Sequence, residues 1–167
     1  MNPDAPALKA RFTSGTPSVI IGAMAQSLSK VILHIIFSIR NREPWLDRDV
    51  RPRMHAYLAT ICHDLGADLV RVGGVADHVH IVTTLPRTVS QAQLVEQIKK
   101  ASSKWIKALD ARYRGFFCQR GYGAFSVSPS QYVEAQQEHH RTRTFQEEYR
   151  ELLGTHGVDF DEPYVWD

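Results

Sequence analysis

The run Asp77-His78-Val79-His80-Ile81-Val82 sets two imidazoles two residues apart in a β-rich stretch. Successive side chains of a strand point to opposite faces. His78 and His80 therefore share one face, and Val79 and Ile81 take the other. The strand rise puts the two histidine Cα atoms roughly 6–7 Å apart, near enough for both rings to chelate one cation. Two ligands do not define a metal site, and two surface histidines on a half-exposed strand would read the same way. Further along, Tyr132 and Gln136 stand four residues apart, the spacing that puts side chains on one helix face. A tyrosine oxygen can attack a phosphodiester once a cation eases its deprotonation, and can then hold the DNA end covalently. A glutamine carbonyl is a neutral oxygen ligand suited to Mg²⁺ or Mn²⁺. By itself the Tyr-x-x-x-Gln pair is weak, because a packed ring and a solvated amide explain it equally.

A third group is basic. Lys99, Lys100, Lys104, Lys107, Arg112, Arg114 and Arg120 fall in one stretch whose single acid is Asp110. The net charge of the chain is only +2, so any cationic face is local. On a helix, Lys100, Ser103, Lys104 and Lys107 share the outer side, while Ala101 and Trp105 turn inward. Ammonium and hydroxyl groups on one face suit phosphate contacts. Tyr113, Phe116, Phe117 and Tyr122 interleave with the arginines, a mix that can stack unpaired bases and hold their backbone. A solvated helix face followed by aromatic packing is the plainer account of the same residues.

These side chains need elements to position them. Residues 31–38 are apolar and β-rich, interrupted by His34, and predict a central first strand. Residues 41–44 predict a turn. Residues 49–65 carry Val50, Met54, Tyr57, Leu58 and Ile61 at near-helical spacing, with Gly66 as a stop. Residues 68–75 and 77–85 predict two strands joined as a hairpin, with Gly73-Gly74 loosening the end of the first. Residues 89–110 predict a helix with Ser90 as N-cap and a buried stripe of Leu94, Ile98, Ala101, Trp105 and Leu109. A short strand over 124–127 follows. Ser128-Pro129 then reads as the start of one polar helix reaching about Leu153, closed by Gly154 and Gly157. The order β-α-β-β-α-β plus a C-terminal helix predicts an α+β, ferredoxin-like split βαβ core.

The 167 residues suffice for one domain, 43% of them hydrophobic and 23% charged. Residues 1–23, with Pro3, Pro6 and Pro17, read as a loosely ordered leader, and 24–167 as a single domain. No apolar run approaches the roughly 20 residues of a membrane span. With no export pattern and no CxxC, Cys62 and Cys118 are expected as reduced thiols of a cytoplasmic protein.

Together the motifs resemble a known family. They are Leu33-His34-Ile35-Ile36-Phe37-Ser38-Ile39-Arg40-Asn41-Arg42, Asp-His-Val-His after a strand, Lys-x-x-Ser-Ser-x-Trp on the next helix, Gly-Tyr-Gly-Ala-Phe-Ser-Val-Ser, and Tyr-x-x-x-Gln followed by Glu-His-His. The pattern, over about 31–167, is similar to the single-tyrosine HUH transposases. Within them it is closest to the small insertion-sequence transposases and their relatives associated with repetitive extragenic palindromes. The resemblance implies Mg²⁺ or Mn²⁺, recognition of hairpin or palindromic single-stranded DNA, and a 5′-phosphotyrosine intermediate. It implies His78 and His80 as metal ligands, Gln136 as the third, and Tyr132 as nucleophile. DNA contacts are expected from Lys99, Lys100, Ser103, Lys104, Lys107, Arg112, Arg114, Arg120 and Tyr122. The resemblance leaves both a homodimer and a monomer open. Two features depart from the family pattern: the stretch between Ser128 and Tyr132 is short, and Cys118 stands where tryptophan is common. Tyr132 is preferred over Tyr113, Tyr122, Tyr149 and Tyr164 because Gln136 follows one turn later, while Tyr149 lies too far along the same predicted helix. Two other readings stay open: a hairpin DNA- or RNA-binding protein that no longer cuts, and a hydrolase using His78, His80 and one of His139 or His140.

Overall fold

The central antiparallel pairing that the strand patterns call for forms between β1 (Ile32–Ser38) and β3 (His78–Thr84) in the computed structural model, which describes residues 29–128 and 144–162. Strand β2 (Leu69–Gly74) pairs with the outer side of β3, and β4 (Gly123–Ser126) with the outer side of β1. The sheet order β2-β3-β1-β4 is antiparallel throughout. Helices α1 (Val50–Asp64) and α2 (Gln91–Leu109) are the two crossovers, and α3 (Phe145–Thr155) follows the sheet. This is the expected ferredoxin-like plan. The predicted leader and the tail from 163 lie outside the described residues.

Alternation along β1 and β3 divides the sheet into two faces. Leu33, Ile35 and Phe37 of β1 and Val79 and Ile81 of β3 join Met54, Leu58, Leu94 and Ile98 in the main core. Both crossover helices therefore lie on one face. His34, Ile36 and Ser38 point the other way, directly across from Val82, His80 and His78.

Helix α1 starts where the Asp47 carboxylate accepts hydrogen bonds from the Asp49 and Val50 amides, at 2.9 and 2.8 Å. The cap is thus two residues upstream of the expected boundary. Gly66, at φ +73°, follows its end as the anticipated stop. Helix α2 begins with a full capping box: Ser90 Oγ accepts from the Gln93 amide at 3.2 Å, and Gln93 Oε1 accepts from the Ser90 amide at 2.9 Å. Its buried line is Leu94, Val95, Ile98, Ser102 and Ile106, rotated from the predicted stripe. Ala101, Trp105 and Leu109 sit at the flank of the core, and Trp105 stacks on Tyr57 at 4.9 Å. The apolar arc of the helix is wide, and packing against α1 selects its centre. Ser102 is tolerated there because its hydroxyl donates to the Lys99 carbonyl at 3.2 Å.

Three expectations are corrected. The β2 irregularity lies between Leu69 and Arg71, not at Gly73-Gly74. The predicted single helix ending near Leu153 is broken at Thr144, whose backbone is extended (ψ 156°) and whose side chain caps a new helix through a box with Glu147. Gly154 lies within α3 and does not end it. Tyr149 and Leu153 of α3 pack on Ile36 and Phe125, on the sheet face away from α1 and α2. Gly123 permits this approach, since a Cβ there would meet the Tyr149 ring at 2.6 Å.

Both cysteines are free thiols. Burial pushes Cys62 up to about 11 and shifts Cys118 the same way. Among the described residues no helix is long and apolar enough to cross a membrane.

Leu58 is fully buried. Leu58→Ala is expected to cost about 2–5 kcal/mol, and Ser90→Ala only about 1 kcal/mol, both read from urea unfolding. A Ser90→Ala loss as large as that of Leu58→Ala would contradict the assigned roles.

Candidate active site

His78 and His80 emerge side by side on the sheet face that carries α3, their ring centroids 4.9 Å apart and their planes at 71°. They are only 6% and 8% exposed, so the expected open sheet surface is corrected to a covered one. The reason is visible next door: Ile36, the cross-strand partner of His80, lies under Tyr149 and Leu153.

Each ring is held through Nδ1. His78 Nδ1 donates to Asp77 Oδ1 at 2.7 Å. Asp77 Oδ2 in turn accepts from Arg42 Nη2 at 2.7 Å and Nε at 3.1 Å. Burial alone would raise the Asp77 carboxyl, but the hydrogen bonds from His78 and Arg42 outweigh it and hold the group below the usual carboxylate range. Arg42 reaches back because the turn after β1 carries two successive non-glycine residues at positive φ, Asn41 at 56° and Arg42 at 55°.

His80 Nδ1 lies 3.0 Å from Nε2 of His34. Burial, with help from His156, brings His34 down to about 4, so this ring is neutral at neutral pH. One proton is shared between the two facing nitrogens. His80 offers a lone pair at Nε2 only when that proton sits on its own Nδ1 and is donated to His34, whose proton is then on Nδ1. This is the arrangement of a metal-binding histidine oriented by a second group. The pair fits two nitrogen positions of a divalent cation's donor set. Among the described residues no cluster of three His, Cys, Asp or Glu side chains could complete it. The expected partners Tyr132 and Gln136, like His139 and His140, lie outside the described residues. With the helix broken at Thr144, the argument that Tyr149 shares a helix with Gln136 no longer stands. Tyr149 is nevertheless a buried packing residue, its hydroxyl pushed up by burial.

Ser38, across from His78, is zipped to Gln119. The Ser38 amide donates to Gln119 Oε1 at 2.9 Å, the Ser38 hydroxyl donates to the same oxygen, and the Gln119 amide donates to the Ser38 carbonyl at 3.0 Å. One residue away, Cys118 lines a groove of about 400 Å³ together with Lys99, Lys100, Ser103, Lys104, Lys107 and Phe117. The strip from Phe117 to Gln119 thus joins the basic groove to the histidine end of β1.

Five of the expected DNA contacts meet in that groove. Their roles differ. Lys99 Nζ donates to the carbonyls of Arg120 and Gly121 at 3.1 and 2.9 Å and is half-buried, so it ties the loop. Lys100 pairs with Glu96. Ser103 Oγ lies 3.6 Å from Cys118 Sγ, and Lys104 is exposed. Arg112, Arg114, Arg120 and Tyr122 do not line it. Arg112 sits 3.7 Å from Asp47, and Tyr122 packs against the main core.

Sequence reasoning missed His34, Arg42 and Gln119 as site residues. His34 had a signal: it has the same parity as Ser38 in an otherwise apolar strand. Arg42 ends one of the motifs behind the family resemblance, but its role had no local signal and Gln119 had none at all, because their partners lie 35 and 81 residues away.

Residues 27–152 match the family described as Transposase IS200 like. A solved chain from Deinococcus radiodurans R1, assigned as a candidate transposase, shares 20% identity over 70% of this chain and 94% of its own, with a TM-score of 0.57. A REP-associated tyrosine transposase bound to a REP hairpin is similar at 14% identity over 69% of this chain and 68% of its own, with a TM-score of 0.49. No curated protein matches the chain in sequence.

If Asp77 and His34 orient the two ligands, Asp77→Ala and His34→Ala should each weaken Mn²⁺ binding about 10- to 100-fold while the far-ultraviolet spectrum is kept. Calorimetric titration measures this. Unchanged affinity in both variants would place the cation elsewhere.

Proposed function

Because the chain belongs to the IS200-like transposase family, we propose that it cuts and rejoins single-stranded DNA at hairpin or palindromic sequences, with Tyr132 as nucleophile. The observation that carries this reading is the histidine pair, buried and held through both Nδ1 atoms. Fixing two rings in one orientation each has a purpose at a cation site and little purpose in a packed core.

His78, His80 and Gln136 would hold Mg²⁺ or Mn²⁺. When bound, the cation neutralises charge at the scissile phosphate. The rest falls to the chain. Asp77 and His34 set the tautomers of the two rings. Arg42 keeps Asp77 ionised. Lys100, Ser103 and Lys104 hold the DNA backbone through phosphate contacts, and Lys99 keeps the loop of the groove in place.

The Tyr132 oxygen attacks the phosphorus in line as its proton departs to a base or solvent. The bond from phosphorus to the 3′ oxygen breaks, and that oxygen leaves as a hydroxyl after taking a proton. The product is a 5′-phosphotyrosine. Attack by another 3′ hydroxyl reverses the step, so one phosphodiester is exchanged for another and no external energy source is needed.

Tyr132→Phe is expected to abolish an SDS-resistant protein–DNA adduct while retaining binding, and EDTA should abolish the adduct of the unaltered protein. An adduct mapped to another tyrosine would overturn the assignment. Tight hairpin binding without any adduct would install the binding-protein reading. Lys104→Ala should flatten the slope of log affinity against log salt by about 0.7 for single-stranded DNA, and Lys100→Ala by less, because Glu96 already neutralises it. Equal slopes across all three proteins would move the nucleic acid off this groove.

A further inference from the structure

We propose that Phe117 is the stacking platform for an unpaired nucleobase, the aromatic end of a nucleotide subsite whose cationic part is Lys107 and Arg40. The inference rests on the single-stranded DNA reading and deepens it by naming where a base, as distinct from a phosphate, is held.

Phe116 and Phe117 are adjacent and identical in type, yet the fold treats them oppositely. Phe116 is 1% exposed in the main core, while Phe117 is 45% exposed at the groove. The exposure is built in. The Phe117 carbonyl accepts from the Arg40 amide at 2.8 Å, Phe116 is tied to Tyr113 at 3.0 Å, and Cys118 bridges to Ile39. A backbone pinned at three successive residues displays the ring in a set position.

The ring is also surrounded by the right charges. Lys107 Nζ lies 3.4 Å from its centroid, and the Arg40 guanidinium carbon 5.4 Å. Such contacts are weak at an exposed site. Lys107 has a flexible stem and can leave the ring face for a phosphate oxygen when a nucleotide arrives, exchanging a cation–π contact for an ion pair. The vacated face then takes the base. An aromatic ring with two cations beside it matches the two halves of a nucleotide. A duplex cannot use it, because its bases already stack on one another. An unpaired base beside a hairpin can.

The test uses the full chain and a DNA hairpin with a single-stranded tail carrying 2-aminopurine at successive positions. The unaltered protein should quench the probe most at one position or two neighbouring ones. Phe117→Ala should lose that quenching and weaken binding of the tailed hairpin roughly 5- to 100-fold, with little change for the same hairpin without a tail. Phe117→Trp should restore both. Phe117→Leu, which keeps apolar bulk without a π face, should not. Failure of the unaltered protein to bind any tailed hairpin would defeat the DNA reading itself. Binding that survives Phe117→Ala undiminished, or is fully restored by leucine, would defeat this proposal alone.

Discussion

The β1–β3 register is the constraint on which the site depends. Seven cross-strand pairs run from Ile32↔Thr84 to Ser38↔His78. Because side-chain direction alternates, a slip of one residue would drive His78 and His80 into the main core and turn Val79 and Ile81 toward α3. The cost of that exchange holds the register. It also makes the site's orientation inseparable from core packing. The imidazoles face one way because Val79 and Ile81, both almost fully buried, face the other.

Burial of two histidines would be unfavourable if their ring nitrogens were left without partners. The fold meets this with one chain of hydrogen bonds on each side. Arg42, Asp77 and His78 form a charge-assisted chain, and on the other side His80 bonds to His34, itself uncharged at neutral pH. The two sides differ in character. Asp77 strengthens the basicity of its ring by its charge, whereas His34 acts through tautomer choice alone and stays uncharged.

The basic groove lies beside α2, which packs on the sheet face opposite the histidines. What connects the two is not the helix but the strip after it, where Phe117 and Cys118 line the groove and Gln119 closes on Ser38. The link is made of hydrogen bonds between this strip and Ser38 of β1 and Arg40 just after it.

Much of this was legible in the order of residues. The β-α-β-β-α-β plan, the shared face of His78 and His80, the Ser90 cap, the Gly66 stop and the outer face of Lys100, Ser103, Lys104 and Lys107 all follow from local periodicity and local hydrogen bonding. Each depends only on neighbours within a turn or two. The rest was decided by which elements meet. The rotation of the α2 stripe, the break before α3, the covering of the histidine face and the opposite fates of Phe116 and Phe117 depend on partners that no local window contains. So do the three contacts that finish the site, between residues 35, 46 and 81 apart. Backbone conformation is a property of short stretches. Desolvation and side-chain pairing are properties of the space between elements, and that space exists only after the chain has folded.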